Sequence, residues 1–343
     1  MYKLDARDPY SQFVPRRASM GNLIYVGLDI GKFQLSCSLP GRRVFDVTND
    51  PAGIGELLRR AASLAPPERL CFVMESTSEY SSCTAETLLE LAPVQAAIVP
   101  PACVNGFKRA GLVRTKNDQV DAVAIREFAQ VKAPPPWLPP SAAQRRLRSL
   151  QLVMHSLRQA VTQQKCIREK LASARRPDGC ALDSIDRVVA ALEEEHAQLQ
   201  WEFDAVVAAD QALARDSAQM LSIPGVGPVV RNVLLAVCYQ QLWELPQRKL
   251  LAYCGMSPRE HQSGRHQGRT LMSKAGDARI RRVLYMAALV AVRKGGLLHE
   301  YFQRHRAMGK PGKVALVSVM RKLLYLIQGV VKSQKPFDFA YTT

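Results

Sequence analysis

Apolar and polar positions along this chain change period more than once, and those changes divide it. Over residues 22–132, short apolar runs alternate with stretches of helical spacing. Residues 23–29, 33–39, 44–47, 70–74 and 94–99 read as strands, the last closed by Pro100 and Pro101, and 53–64, 78–91 and 118–130 read as helices. Runs such as LCFVM suit strands buried on both faces. Strands alternating with helices predict an α/β layer around a central sheet. The prolines of APPPWLPP (133–140) then remove backbone donors and fix φ, so a linker is expected at 133–141.

From 142 to 210 the spacing alternates between three and four. Leu147, Leu150, Met154, Leu157, Val161 and Leu171 fall on one seam, and Ile185, Val189, Leu192, His196, Leu199, Phe203 and Val206 on a second. This heptad pattern predicts two long helices in an antiparallel coiled-coil hairpin or the arm of a dimer, turned at Pro177-Asp178-Gly179, with His196 as a packing residue of the seam. Residues 211–343 read as mostly helical. The apolar stretch 314–331 is interrupted by Arg321 and Lys322 and reads as a core helix, so no membrane partner is expected. Residues 1–21 read as a loose extension without the apolar segment of a signal peptide.

Charge narrows the function classes. The 343 residues carry 47 Lys+Arg against 30 Asp+Glu, a formal net charge of +17. An excess of that size is what phosphate-backbone binding requires. The eight cysteines include no C-x-x-C pair, which argues against a zinc ribbon. Scattered in largely apolar surroundings, they read as buried, reduced thiols of a cytoplasmic protein.

Against that basic background four acids stand out. Asp29 closes the first strand in VGLDIGK and Glu75 the fourth in FVMESTSEY; strand ends are where α/β sheets collect ligands. Asp118 and Asp121, three apart in RTKNDQVDA, share a helical face. Each acid alone is equally readable as a turn, surface or first-turn residue. Together they would repel one another unless a hard divalent cation such as Mg²⁺, or Mn²⁺, took them as oxygen ligands. Two such ions would activate a nucleophile and stabilise the leaving oxygen of a phosphodiester. Arg114 and Lys116 flank the aspartates as candidate phosphate contacts.

Two further segments carry candidate chemistry. SIPGVGPVV (222–230) is like a helix–hairpin–helix turn, in which Gly225 and Gly227 would let backbone N–H groups face a DNA phosphate; an ordinary glycine-capped turn fits as well. The polar stretch 257–270 sets Arg259, His261, Arg265, His266 and Arg269 around Ser263-Gly264. Cations there would stabilise both a serine alkoxide and the phosphate it attacks, although a basic disordered loop would have the same composition. Ser257, Thr270 and Ser273 lie close by. Lys274, Arg279, Arg281 and Arg282 read as backbone-phosphate contacts leading into a helix.

The ordered set VGLDIGK, ESTSEY, RTKNDQVDA, SIPGVG, LAYCGMSP, SGRHQGR, MSKAGDARIRRVLY and GKPGKVALVSVMRKLL spans nearly all of residues 22–338. It resembles the DEDD-type transposases of the insertion-sequence "one-ten" family and their Piv-type DNA invertase relatives. The resemblance implies a RuvC-like N-terminal domain (22–132) of the RNase H fold, with Asp29, Glu75, Asp118 and Asp121 as metal ligands. It implies a coiled-coil hairpin (142–210) for assembly as a homodimer or tetramer. It also implies a mostly helical transposase domain (211–343) whose Ser263 forms a covalent phosphoserine link to DNA. Family members act on element ends, or their junction, and on target DNA, and several use a non-coding bridge RNA as guide. Their active site is thought to pair domains of two protomers. Residues 1–20 have no counterpart in the family. A metal-only RuvC-like nuclease and a non-catalytic nucleic-acid scaffold are the competing readings. The first is separable by Ser263→Ala, the second by Asp121→Ala.

Overall fold

The structure, a computed structural model, describes residues 23–338 apart from 77–78, 112–116, 239, 260–261, 264–265, 268–269 and 294, with backbone alone at 240–241, 262–263 and 266–267. The chain divides at Pro139/Pro140 into two units.

In the first unit the chain runs β1 (Ile24–Ile30), β2 (Gln34–Ser38), β3 (Phe45–Thr48), α1 (Pro51–Ala62), β4 (Leu70–Glu75), α2 (Glu79–Leu91), β5 (Gln95–Val99), α3 (Pro101–Ala110) and α4 (Asp118–Lys132). Among the described residues these five strands form one mixed sheet, ordered β3-β2-β1-β4-β5. β1, β2 and β3 are antiparallel, while β1, β4 and β5 run parallel. The alternation along β4 explains why the sheet is covered on both faces. Leu70, Phe72 and Met74 enter a core with Leu28, Leu35, Leu57 and Leu88. Cys71 and Val73 enter the opposite core with Val104, Ile125 and Phe128. This unit's expected strands and helices are present within a few residues of their expected bounds, with two additions, a short 3-10 turn at Pro67–Arg69 and α3. Pro101 does not merely end β5; it opens α3 at the helix's first position, where the missing N–H costs no hydrogen bond.

α4 lies directly on β1 because of Gly27. A Cβ there would sit 2.1 Å from the Ala122 carbonyl oxygen and 2.6 Å from the Arg126 nitrogen. Asn117 caps the same helix by accepting from the Val120 N–H at 2.7 Å.

The second unit begins with α5 (Ala142–Ala172) and α6 (Gly179–Ala209). Ser141 and Gln144 form a capping box on α5, and Asp178 caps α6. The two helices run antiparallel, as cross-pairs Arg146–Glu202, Lys165–Glu193 and Arg168–Asp186 show. These exposed pairs contribute little. The seam contributes more: Leu147, Met154, Val189 and Phe203 are buried, Leu150, Leu157, Leu192 and Leu199 half-buried, and Leu171 is exposed. His196 sits on the seam and accepts from Arg158 Nε at 2.8 Å.

The chain continues through α7 (Gln211–Leu221), α8 (Pro228–Val237), α9 (Gln240–Trp243), α10 (Gln247–Tyr253), α11 (Ala278–Arg293), α12 (Leu297–Ala307) and α13 (Gly312–Ser333). α13 is the one described helix long and apolar enough to cross a membrane, and its Leu316, Val319, Leu323, Leu324 and Ile327 lie in the core of this unit. Between α10 and α11 the polar segment holds two short antiparallel ladders. β6 (Pro258–Arg259) pairs with β9 (Leu271–Met272), and β7 (Gln262–Ser263) with β8 (His266–Gln267). The reading of all eight cysteines as buried needs correction. Cys37, Cys71, Cys238 and Cys254 are buried, but Cys83, Cys103, Cys166 and Cys180 are exposed, each on the outward face of a helix or at its first turn.

Candidate active site

Parallel register places the first two acids side by side. Leu28 is opposite Met74 on β1 and β4, so Asp29 and Glu75 follow at the same end of adjacent strands. Asp29 is the penultimate residue of β1 rather than its end, and Glu75 is the last of β4. α4, held on β1 through Gly27, begins at Asp118 and carries Asp121 one turn on.

The electrostatics show that the four acids feel one another. The Asp29 carboxyl is pushed up to about 6, first by burial and then by the charges of Asp118, Asp121 and Glu75. Glu75 is raised by burial and by Asp121, against a lowering influence from Lys108. Lys108, on α3, forms an ion pair with Asp121 in which both side chains are largely buried. It was not foreseen, because its helix was not. Its signal in the sequence is the FKRAG stretch that follows the two prolines.

The donor set is all carboxylate, with no thiolate or imidazole, and that chemistry fits a hard divalent cation. Among the described residues no three His, Cys, Asp or Glu side chains converge as a ready-made metal-ligand group. Lys108 supplies the countercharge in this arrangement. Arg114 and Lys116 lie outside the described residues.

In the second unit the serine segment is anchored at its base. Ser273 N–H donates to the Ser257 carbonyl at 2.9 Å and Lys274 N–H to that of Gly255 at 3.0 Å. Arg281 Nη1 donates to the carbonyls of Cys254 (3.2 Å) and Gly276 (2.7 Å), and Arg321 Nε to that of Met256 (3.0 Å). Gly276 has no room for a Cβ, which would lie 2.3 Å from the Gly255 nitrogen. Lys274 is exposed and takes a left-handed φ of 56°. Ser263 pairs with His266 in the inner ladder, and Arg259 is exposed on the outer one. The side chain of Ser263, and Arg265 and Arg269 entirely, lie outside the described residues. Arg279 is engaged by Asp277, with Nη2–Oδ2 at 2.7 Å, while Arg282 is exposed and 3.3 Å from His155 Nε2.

The two glycines of SIPGVG differ. Gly225 has φ of +91°, and a Cβ there would meet Ala291 of α11 at 2.9 Å. Gly227 is the N-cap of α8 with open space around it. Packing on α11 therefore accounts for Gly225, and only Gly227 is unobstructed.

Comparison with known proteins decides the family. A family model described as Transposase, of the IS110 DEDD kind, matches residues 26–173. A second, described as Transposase IS116/IS110/IS902 family, matches residues 217–303. This chain belongs to the IS110-type DEDD transposases. It is a DNA-cutting and rejoining enzyme. The pilin gene-inverting proteins of Moraxella bovis and Moraxella lacunata are each 23% identical to it over 320 residues, covering 92% of this chain and 97% of theirs. The insertion element IS900 uncharacterized 42 kDa protein of Mycobacterium paratuberculosis is 28% identical over 160 residues, 46% of this chain and 40% of its own. The first match of this IS110-type chain takes in Asp29, Glu75, Asp118 and Asp121, and the second takes in Ser263.

Proposed function

We propose that this IS110-type chain moves an insertion sequence by strand exchange through a serine ester, with divalent cations, Mg²⁺ or Mn²⁺, held by Asp29, Glu75, Asp118 and Asp121. The observation that carries the reading is the placing of Asp29 and Glu75 at the same end of adjacent strands, where burial first and then the charges of Asp118, Asp121 and Glu75 raise the Asp29 carboxyl. The order β3-β2-β1-β4-β5, antiparallel and then parallel, supports a RuvC-like RNase H fold for residues 22–132. The proline run is the linker, and the 142–210 hairpin is a coiled coil that assembles a dimer or tetramer. Residues 211–343 carry the nucleophile.

In this reading, the Ser263 oxygen bonds to the phosphorus of a scissile phosphodiester. One P–O bond to deoxyribose breaks, and the departing oxygen takes up the serine proton. Attack by a hydroxyl of the new strand reverses these changes, so the strand is rejoined without water or an external energy source. Bound cations would supply stabilisation of charge on the attacking and departing oxygens. Arg259, Lys274, Arg279 and Arg282, with Arg114, Lys116, Arg265 and Arg269, would contact phosphates, and Gly227 would present backbone N–H groups to one. Arg281 would contribute chiefly by holding the base of the serine segment. The net charge of +17 also suits a bridge RNA guide.

Site-specific inversion of the Piv type is the second reading. Relatives named for pilin gene inversion match over 92% of the chain and favour it. The test is strand cleavage on a DNA carrying the element junction, in Mg²⁺. Ser263→Ala and Asp121→Ala are each expected to abolish strand exchange. Cleavage that survives Ser263→Ala would leave a metal-only nuclease. Function that survives Asp121→Ala would leave a scaffold.

A further inference from the structure

A cavity of about 650 Å³ opens between α5, α8 and α11 of the second unit. Its walls are apolar, formed by Met154, Val230, Val233, Val283 and Met286. Its polar lining includes the guanidinium groups of Arg158 and Arg282, the imidazole of His155 and the amides of Gln151 and Gln159.

Three features point to a ligand with an apolar planar body and an anionic tail. First, neither Arg158 nor Arg282 forms an ion pair with a carboxylate among the described residues. Arg158 donates to His196 and Arg282 lies against His155. Burial lowers Arg158's pKa, so its charge lacks both full hydration and a countercharge. Second, Gln151 is only 9% exposed, lines this cavity and the small one beside it, and has a buried Oε1 with no hydrogen-bond partner. Buried amide oxygens are normally satisfied, so an unpaired one on a residue of the cavity wall gains a partner when the amide turns toward a donor on a guest. Third, apolar walls with a few convergent polar groups are the usual make-up of a small-ligand site, and this volume lies within the usual range of about 300–1,000 Å³.

We propose that this cavity receives one unpaired deoxynucleotide of the DNA substrate. The base lies between Met154, Val233 and Met286, a base N–H donates to Gln151 Oε1, and the flanking phosphate meets Arg158 and Arg282. A strand-exchanging enzyme must unpair its duplex, and an extruded base offers an apolar face, edge donors and a phosphate in one unit. The inference rests on the chain's acting on DNA, and its test compares two DNAs on the same protein.

The full chain would be titrated with a fluorescent duplex carrying one bulged adenine and with the fully paired duplex. Binding of the bulged DNA is expected to be about tenfold tighter. Gln159→Trp, at an exposed position on the wall, should fill the cavity without disturbing the core. It is expected to remove the preference while leaving duplex affinity unchanged. A second readout needs no substitution. Cys166 also lines the cavity and is exposed, whereas the equally exposed Cys180 does not line it. Alkylation mapped by mass spectrometry should slow severalfold at Cys166, and not at Cys180, when bulged DNA is bound. Equal affinity for the two duplexes, or a preference that persists in Gln159→Trp, would overturn the proposal. So would a preference seen only with bulged RNA, or a Gln159→Trp effect confined to oligomeric state. Loss of binding to both duplexes would instead count against the general DNA-binding reading.

Discussion

Lys108 on α3 is paired with Asp121 on α4, and its charge also lowers the Glu75 carboxyl against burial and Asp121. A lysine there offsets the charges of Asp121 and Glu75, and in the proposed reading a bound cation would take over that part. Lys108→Met is therefore expected to destabilise the metal-free protein by about 2 kcal/mol, typical of a lost charged hydrogen bond with little access to water. Denaturant unfolding with and without Mg²⁺ checks this. The loss should shrink when Mg²⁺ is present. An equal loss in both conditions would mean that Lys108 serves only the packing of α3.

Gly27 is the point at which β1 accepts α4. Gly27→Ala places a methyl group 2.1 Å from the Ala122 carbonyl oxygen, a clash between backbones that no side-chain movement relieves. A loss of about 2–3 kcal/mol in unfolding free energy is expected. Strand cleavage should fall further than the folded fraction does, because Asp118 and Asp121 ride on the displaced helix. Activity that simply follows the folded fraction would argue against α4 as the carrier of the site.

The glycines of SIPGVG should separate. Gly225→Ala combines a left-handed φ with contact on Ala291 and is expected to cost about 2–3 kcal/mol. Gly227→Ala has room and an extended backbone, so it should cost under about 1 kcal/mol while weakening DNA binding. Unfolding and DNA titration of both variants decide the matter. Unchanged DNA affinity in a folded Gly227→Ala protein would remove this turn from the DNA interface.

Asp216 gives a pH-dependent prediction away from the site. Burial raises its carboxyl pKa, against a lowering hydrogen bond from Gln334 Nε2 at 2.8 Å. A raised acid contributes stability that is present below the ordinary carboxylate range and lost as pH rises through the raised value. Asp216→Asn keeps an oxygen acceptor and removes the buried charge. It is expected to raise the melting temperature near pH 7, with the gain fading toward pH 3. A gain of equal size at both pH values would contradict this account.

Much of the site was legible because it lies where local pattern speaks most clearly. β1, β4 and β5 are largely apolar runs, and Asp29 and Glu75 interrupt those of β1 and β4. Asp118 and Asp121 follow Asn117, a helix-starting residue. What could not be read was non-local or short. α3 hides behind two prolines that look like a stop, and Lys108 went with it. The ladders β6–β9 and β7–β8 have two residues per strand and thus no period to detect. Arg281 looks like any basic residue of its helix, and only the fold aims its guanidinium at the Cys254 and Gly276 carbonyls. Cys83, between Ser82 and Thr84, and Cys166, after Lys165 and before Ile167-Arg168, have largely polar neighbours that agree with their exposed helix faces, so their exposure was legible in the sequence.

A serine ester to DNA, formed beside an acidic cation site, would survive denaturation of the protein and can be trapped. The protein would be incubated in Mg²⁺ with DNA carrying its element junction and the element's non-coding flanks, then denatured and examined for a protein–DNA adduct. An adduct in wild type that maps to Ser263 and vanishes in Ser263→Ala is the predicted result. Cleavage without an adduct, unchanged by Ser263→Ala, would contradict it.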